Sequence, residues 1–353
     1  MNKIAQCSTT TLKDQCVTLD QLQRPLQDLR ISVIDQCNLR CPYCMPAVTK
    51  PLLYQFLKTD ELLTFEEIER IARQCAELGV RKIRLTGGEP LLKENLADLI
   101  HRLNQIEGID NIALTTNGIY LSQYARVLKE AGLGRITVSV DTLNEEIFRI
   151  LSGNRGSVRQ VLEGIREAQR QGFSPIKINA VIQKNINEKD ILDLARYFRG
   201  SDCIVRFIEF MDVGNANNWS CKAVVPSQDI LNALDALFPL ECTEPNYRGE
   251  VAQRYRYIDG QGEIGFVSSV SQPFCGDCTR LRLSADGTLY PCLFAGNGLP
   301  LRDCLRQGLE DSKLGEMISR FWRKREDHYS ELRTSLQRQN IKREKVEMYK
   351  IGG

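Results

Sequence analysis

The chain has 353 residues and a formal net charge of +2, with 26% charged and 42% hydrophobic residues. A chain of this length can bury a large core, with room for one large domain and a smaller one. The near-neutral charge argues against a nucleic-acid-binding protein, and the polar N-terminus and the lack of a long apolar window argue against secretion and membrane insertion. We therefore expect a cytoplasmic protein with no nucleic-acid or membrane partner.

Residues 1–27 are predicted to form an irregular N-terminal arm that is partly disordered. From Asp28 to about Gly214, strand-like and helix-like segments alternate at intervals of roughly thirty residues, which is the repeat of a βα unit. The six predicted strands span residues 29–34, 82–86, 111–115, 135–140, 176–182 and 204–210. Helical periodicity is clear at residues 65–78, 121–131 and 158–171. The fold class is therefore α/β, with a parallel six-stranded sheet and helices outside, either an incomplete barrel or an open doubly wound sheet.

Three cysteines follow the first predicted strand. Cys37, Cys41 and Cys44 have C-x3-C-x2-C spacing. Three thiolates leave a four-coordinate metal ion, or a four-iron cubane, one protein ligand short. Such an open coordination site is more typical of a catalytic centre than of a structural metal site. The alternatives are a zinc site completed by a distant residue and a chance cluster of thiols.

Other strand ends carry glycines, hydroxyls and carboxylates. These stretches are residues 86–90, 115–118, 139–141 and 211–212. Ligands bind at the C-terminal ends of parallel strands, so the sequence predicts a site there. The paired glycines Gly87 and Gly88 are interpreted as letting a ligand approach the backbone closely.

Residues 226–353 are predicted to form a smaller C-terminal domain. It begins with a helix and a β-hairpin, at residues 226–238, 255–258 and 264–270. Cys275, Cys278 and Cys292 then form a second set, with C-x2-C-x13-C spacing. The spacing also suits a zinc ribbon, but neither of the two histidines lies near this set to supply a fourth ligand.

The C-x3-C-x2-C motif and the G-G-E-P motif after the second strand resemble the radical S-adenosylmethionine (SAM) superfamily. The resemblance implies a partial six-unit (β/α) barrel at residues 28–225, with a [4Fe–4S] cluster on Cys37, Cys41 and Cys44. It also implies SAM as a cofactor, which is bound by the open iron and cleaved to a 5′-deoxyadenosyl radical.

With the second cysteine set, the chain is similar over nearly its whole length to the GTP 3′,8-cyclase family, which catalyses the first step of molybdenum cofactor biosynthesis. The supporting stretches are residues 28–33, 44–46, 82–90, 206–211 and 352–353. The resemblance implies a second [4Fe–4S] cluster on Cys275, Cys278 and Cys292 that contacts guanine, removal of the ribose 3′ hydrogen and attack on C8, giving 3′,8-cyclo-7,8-dihydro-GTP. The implied partners are GTP, an external electron donor and the downstream pyranopterin-forming synthase as product acceptor. The resemblance is also compatible with a homodimer.

Individual contacts carry over from the family position by position. The residues that match its GTP contacts are Arg30, Arg84, Thr115, Lys177, Arg280 and Arg282. Those that match its SAM contacts are Tyr43, Gly88, Ser139 and Met211. An independent physical case exists for the cations, which we expect at the strand mouths, because a triphosphate needs several and planar guanidinium groups bind phosphate oxygens in pairs. Lys82 and Arg206 are weaker candidates.

The last fifty residues contain two features of interest. Arg320, Arg323, Lys324 and Arg325 are interpreted as a solvated helix face. The terminal Gly352-Gly353 matches the family's tail, which reaches into the active site. Residues 345–351 depart from the family's usual Arg-Pro-Met lead-in to the tail, and Gln36 replaces a basic residue common before the first cysteine.

Two hypotheses from other functional classes compete with the cyclase. A radical SAM peptide-modifying enzyme would share the first motif, but it should carry more than three cysteines in a longer C-terminal domain. A zinc-stapled nucleic-acid-binding adaptor would explain the cysteines as structural, but it predicts a basic surface stripe.

Overall fold

A computed structural model of the chain describes residues 17–45, 55–338 and 343–352. Most of the predicted N-terminal arm, residues 1–16, lies outside the described residues. The rest of it is packed: Leu19 pairs with Pro25 in an antiparallel bridge, and Leu26 is completely buried.

All six predicted strands are present, with their ends shifted by one or two residues at most. They are β1 (Asp28–Ser32), β2 (Lys82–Thr86), β3 (Asn111–Thr116), β4 (Arg135–Ser139), β5 (Ile176–Ile182) and β6 (Cys203–Glu209). Each is parallel to the next in the order β1 to β6, which confirms the predicted parallel sheet.

Helices connect these strands, and local sequence signals set their ends. They are α1 (Phe65–Glu77), α2 (Leu96–Asn104), α3 (Leu121–Glu130), α4 (Glu145–Ser152), α5 (Val158–Arg170) and α6 (Ile191–Phe198). In α1, the Thr64 hydroxyl accepts a hydrogen bond from the Glu67 amide at 3.2 Å, and the Glu67 carboxylate accepts one from the Thr64 amide at 2.8 Å. This reciprocal cap starts the helix and turns Ile68, Ile71 and Cys75 into the core.

The C-terminal residues extend the same sheet at both edges. Their strands are β7 (Leu240–Thr243), β8 (Gln253–Tyr257), β9 (Glu263–Val267), β10 (Arg280–Leu283), β11 (Thr288–Tyr290) and β12 (Leu299–Pro300). Strand β9 is parallel to β6 and β10 is parallel to β1, whereas the outer strands on both sides run antiparallel. The result is one mixed 12-stranded sheet. The predicted hairpin is confirmed as β8 and β9.

Five more helices lie among the described residues of this part of the chain. They are α7 (Ser227–Asp235), α8 (Arg302–Arg306), α9 (Asp311–Arg323), α10 (Tyr329–Arg338) and α11 (Met348–Ile351). The interpretation of residues 320–325 as a solvated face is wrong for Arg325, which is 3% exposed. Within the described residues, no helix combines the length and the apolar character needed to cross a membrane.

Alternation along the parallel strands positions the site. In β1, Leu29 and Ile31 are fully buried in the hydrophobic core, whereas Asp28 and Arg30 line a cavity on the opposite side of the strand. Side chains alternate between the two faces of a strand, so each parallel strand contributes to both the core and the cavity.

Candidate active site

A cavity of about 340 Å³ is lined by the inner face of the sheet and by both cysteine loops. Every residue that the sequence singled out for clusters, SAM or GTP lies on its wall. They are Arg30, Cys37, Cys41, Tyr43, Cys44, Arg84, Gly88, Thr115, Ser139, Lys177, Met211, Cys275, Cys278, Arg280, Arg282 and Cys292. Residues up to 262 positions apart in the sequence, from Arg30 to Cys292, therefore share one site.

The first thiol loop, residues 37–45, forms a tight turn after β1. The amides of Cys44 and Met45 donate to the carbonyl of Cys41 at 3.0 and 2.8 Å. The Leu39 amide donates to the sulfur of Cys37 at 3.4 Å, and the Asn117 side-chain amide donates to the same sulfur at 3.9 Å. These donors favour the thiolate that a metal ligand requires.

Two carboxylates, the buried Glu89 and the partly buried Asp141, border the first thiol loop. Glu89 accepts hydrogen bonds from the Thr116 hydroxyl at 2.6 Å and the Asn117 amide at 2.8 Å. Asp141 accepts one from the Tyr43 hydroxyl at 2.7 Å. Burial raises the pKa of Glu89 to about 7 and that of Asp141 to about 6. Burial also raises the pKa of Cys37 to about 11, and the charge of Glu89 adds to this shift.

The paired glycines pack closely against the backbone that precedes the first thiol loop. A Cβ atom on Gly87 would collide with the carbonyl oxygen of Ile34, and one on Gly88 with that of Gln36. The Gly88 amide donates to Ile34 at 2.7 Å and the Glu89 amide donates to Gln36 at 2.8 Å. The glycines therefore allow the two loops to pack backbone to backbone, although Gly88 still borders the cavity.

The second thiol loop, residues 275–278, precedes β10. The Arg280 guanidinium donates to the sulfur of Cys278 at 3.3 Å, and the Phe294 amide donates to the sulfur of Cys292 at 3.5 Å. Burial raises the pKa of Cys278, but the nearby charges of Arg280 and Arg325 outweigh this effect and lower it to about 6.

Strand register aligns three arginines between the two loops. Arg30 is paired with Arg282 on one side and with Arg84 on the other. Neighbouring strands lie about 4.8 Å apart, so three guanidinium groups are crowded on one face. Burial and the charges of Arg280 and Arg84 lower the pKa of Arg30 to about 9. The expectation that these cations lie at the strand mouths was wrong for Arg30 and Arg84, which occupy the middle of their strands.

Further cations on the cavity wall have neutral hydrogen-bond partners. Arg206 donates to Asn179 at 2.6 and 2.9 Å, and Arg135 donates to Asn111 at 2.7 Å. Burial, together with Arg206 and Arg135, lowers the pKa of Lys177 to about 8. Sequence reasoning missed Arg135, although polar residues at every second position of the strands would have indicated it.

The C-terminal tail reaches this cavity, which confirms the expectation as far as Gly352, since Gly353 lies outside the described residues. Arg282 donates to the carbonyl of Gly352 at 2.7 Å, and Ile351 is fully buried. The lead-in that departs from the family pattern has its own anchor, because the Lys345 ammonium donates to the Asp212 carboxylate at 2.7 Å.

Comparison with known proteins decides the family. Residues 31–198 match the Radical SAM superfamily, and residues 203–331 match Molybdenum Cofactor Synthesis C. The chain is 51% identical over 334 residues to a GTP 3′,8-cyclase of Xanthomonas campestris, covering 95% of this chain and 97% of that one. The chain belongs to the GTP 3′,8-cyclase family. A Staphylococcus haemolyticus member is 46% identical over 335 residues, covering 95% of this chain and 98% of that one.

Solved structures agree on the fold. The crystal structure of Streptococcus suis SuiB bound to S-adenosylmethionine has a TM-score of 0.59 and 15% identity, covering 83% of this chain and 68% of that one. At that identity, the likeness concerns the radical SAM fold alone.

Proposed function

We propose that this chain is a radical SAM lyase that cyclises GTP to 3′,8-cyclo-7,8-dihydro-GTP, the first step of molybdenum cofactor biosynthesis. One observation carries the proposal: a single cavity contains two three-cysteine sets with a row of cations between them. Membership of a family whose relatives are named GTP 3′,8-cyclase supports it independently.

The strand directions separate the two thiol sets. The first loop follows the C-terminal end of β1, whereas the second precedes the N-terminal end of β10, which is parallel to β1. A 5-residue strand such as β1 spans about 16 Å. This separation suits a nucleotide that lies along the strands, with one end at each set.

The thiols fit the clusters that the family implies. Each cysteine of a cubane binds a different iron, so its thiols are held apart, whereas a zinc ion draws its ligands to a single point. In the described part of the chain, no three His, Cys, Asp or Glu side chains are placed to hold a single metal ion. Three thiols on the cavity wall at each set, with one iron left open, support the proposal of two [4Fe–4S] clusters, one on each set.

Bound at the first set, a cluster and SAM supply the one-electron chemistry that generates a 5′-deoxyadenosyl radical. In the proposal, Tyr43, Gly88, Ser139 and Met211 bind SAM, and Cys37, Cys41 and Cys44 hold the cluster. The chain itself orients the ribose so that its 3′ hydrogen faces the radical, and keeps water away from the reacting atoms.

Phosphate binding falls to the cations between the sets. Arg30, Arg84 and Lys177 lie on the cavity wall, and within the described residues no carboxylate is among their hydrogen-bond partners, so their charges are available to a triphosphate. Thr115 shares this wall, and Arg280 and Arg282 lie beside the second set, where guanine would bind.

The proposal also covers the domain organisation, the partners and the cellular location. The sheet strands β1 to β6 and their helices form the six-unit partial barrel, and residues 226–353 carry the second cluster. An external electron donor supplies the electron, the downstream pyranopterin-forming synthase takes the product, and the free thiols suit the reducing cytoplasm. A homodimer is compatible with this setting.

The decisive experiment measures SAM cleavage in the anaerobically reconstituted protein. We expect about eight irons per chain, from two four-iron cubanes. With a reductant and SAM, 5′-deoxyadenosine should form when GTP is added, but not with ATP or without nucleotide. Zinc in place of iron, or cleavage that ignores GTP, would contradict the proposal.

A further inference from the structure

The N-terminal segment before β1 is packed against the second thiol loop. The amides of Gln27 and Asp28 both donate to the carbonyl of Thr279, at 3.2 and 3.1 Å. On its other side the Thr18 amide donates to the carbonyl of Leu78, at the end of α1. The segment therefore joins the second thiol loop to the parallel sheet, although the two lie some 250 residues apart in the sequence.

A buried ion triad lies inside this contact. The Asp20 carboxylate pairs with the Arg24 guanidinium at 2.6 Å and with the Arg325 guanidinium at 3.2 Å. The side chains of Arg24 and Arg325 are 1% exposed and that of Asp20 is fully buried. Two guanidinium groups and one carboxylate leave a net positive charge in the interior.

Both arginines hold the main chain of the second thiol loop. Arg24 donates to the carbonyl of Cys275 at 2.9 Å, and Arg325 donates to the carbonyl of Cys278 at 2.7 Å. Arg24 also donates to the carbonyl of Asp327 at 2.7 Å, which ties the loop to the segment after α9. The two ends of the loop are thus fixed by charge-assisted hydrogen bonds, which are stronger than neutral ones.

The hydrogen bonding of the triad is incomplete. Nη2 of Arg24 and Nε of Arg325 are buried without a hydrogen-bond partner in the described part of the chain. Buried donors without a partner are costly, and one of the two positive charges is not balanced by the Asp20 carboxylate, so the arrangement favours a negative group nearby. Arg325 lines the cavity at the second set, where a cluster with its thiolates would carry negative charge.

We propose that Asp20, Arg24 and Arg325 are positioning residues of the second thiol site, and that their excess positive charge raises the reduction potential of the cluster bound there. The electrostatic half of this inference rests on the proposed function, because it needs a second cluster. The geometric half concerns the protein without clusters.

Amide hydrogen exchange of the cluster-free protein tests the geometric half. In Arg24→Gln, exchange in residues 275–279 should accelerate at least tenfold, whereas residues 37–45 should be unchanged. The matched control is Lys324→Gln, which removes an exposed charge next to Arg325 and should change neither loop. Equal acceleration of both loops, or none in the second, would overturn the positioning role. If Arg24→Gln does not fold, the nearly isosteric Asp20→Asn replaces it, with the same local pattern expected.

Redox titration of the reconstituted protein, followed by electron paramagnetic resonance, tests the electrostatic half. Arg325→Gln should make the second centre at least tenfold harder to reduce, about 59 mV for one electron, and leave the first centre unchanged. Arg325→Lys keeps the charge and should restore most of the potential. An unchanged potential in Arg325→Gln would refute this half. A wild-type protein with only one redox centre would instead refute the second cluster of the proposed function, and hydrogen exchange would still decide the positioning role.

Discussion

The two cysteine sets contain three cysteines each but have different charged neighbours. Two carboxylates, Glu89 and Asp141, border the first loop. Arginines surround the second, and Arg280 and Arg325 outweigh burial to lower the pKa of Cys278 to about 6. At the first loop, burial raises the pKa of Cys37 to about 11.

This difference matches the charges of the molecules that the proposed function assigns to each loop. SAM carries a sulfonium group, so nearby carboxylates favour it at the first loop. GTP carries a triphosphate, which the cations between the loops favour, and this places its guanine near the second. Two sets of three cysteines can therefore serve different reactions, because the surrounding charges select which molecule binds beside each set.

Cysteine replacement should separate the two loops most strongly. Cys41→Ala removes a thiol of the first loop, so no 5′-deoxyadenosine should be detectable. Cys278→Ala should leave residual SAM cleavage but no cyclised product, because the first loop remains intact. Chromatographic measurement of 5′-deoxyadenosine and product checks both. If the two variants behave alike, the division of labour between the loops is wrong.

The tail links the two sides of the cavity, so its distortion should have the next largest effect. Gly352 has φ +69°, and a Cβ atom there would collide with the Thr86 side chain. Gly352→Ala should lower the rate of product formation about a hundredfold, the effect of a small misplacement in an active site. The control is Gly308→Ala, which has φ +83° with nothing within 4 Å of the added Cβ atom, so only backbone strain changes. Equal losses in both variants would mean that docking of the tail is unimportant.

The pH dependence of GTP binding should report on the cations between the loops. Burial, together with Arg206 and Arg135, lowers the pKa of Lys177 to about 8. A bound triphosphate stabilises the charged amine, so affinity is complete below pH 8 and is lost as the pH rises through that value. We expect the Kd to increase up to tenfold per pH unit above 8. Calorimetry should show a flatter profile for Lys177→Gln, and an identical slope would exclude Lys177 as a phosphate contact.

The smallest effect is expected at the edge of the first loop. Tyr43→Phe removes the 2.7 Å hydrogen bond to Asp141, whose net contribution is about 1 kcal/mol. SAM affinity should fall about fivefold while iron content stays normal. Ser139→Ala serves as the comparison, because it alters the same wall of the cavity but leaves the hydrogen bond between Tyr43 and Asp141 intact. Loss of iron in Tyr43→Phe would show that the bond holds the cluster loop rather than SAM.

Much of the site could be predicted because its parts are local in sequence. Cys37, Cys41 and Cys44 lie within one turn, and the βα repeat indicated where each strand ends. Arg135 was missed because a single arginine at the start of an apolar strand resembles a surface charge. Arg325 was misjudged for the same reason, since its partners Asp20 and Cys278 are distant in the chain.

By itself, the sequence determined the six βα units, the two cysteine sets and the family. Those features depend on spacing and periodicity, which neighbouring residues encode. Only the tertiary structure decided that Arg282, Arg30 and Arg84 stand side by side, because strand register is set by pairing between distant segments. It also decided that the two thiol loops lie at opposite ends of parallel strands, and that carboxylates border the first whereas arginines surround the second. Residues that are remote in the chain create those surroundings.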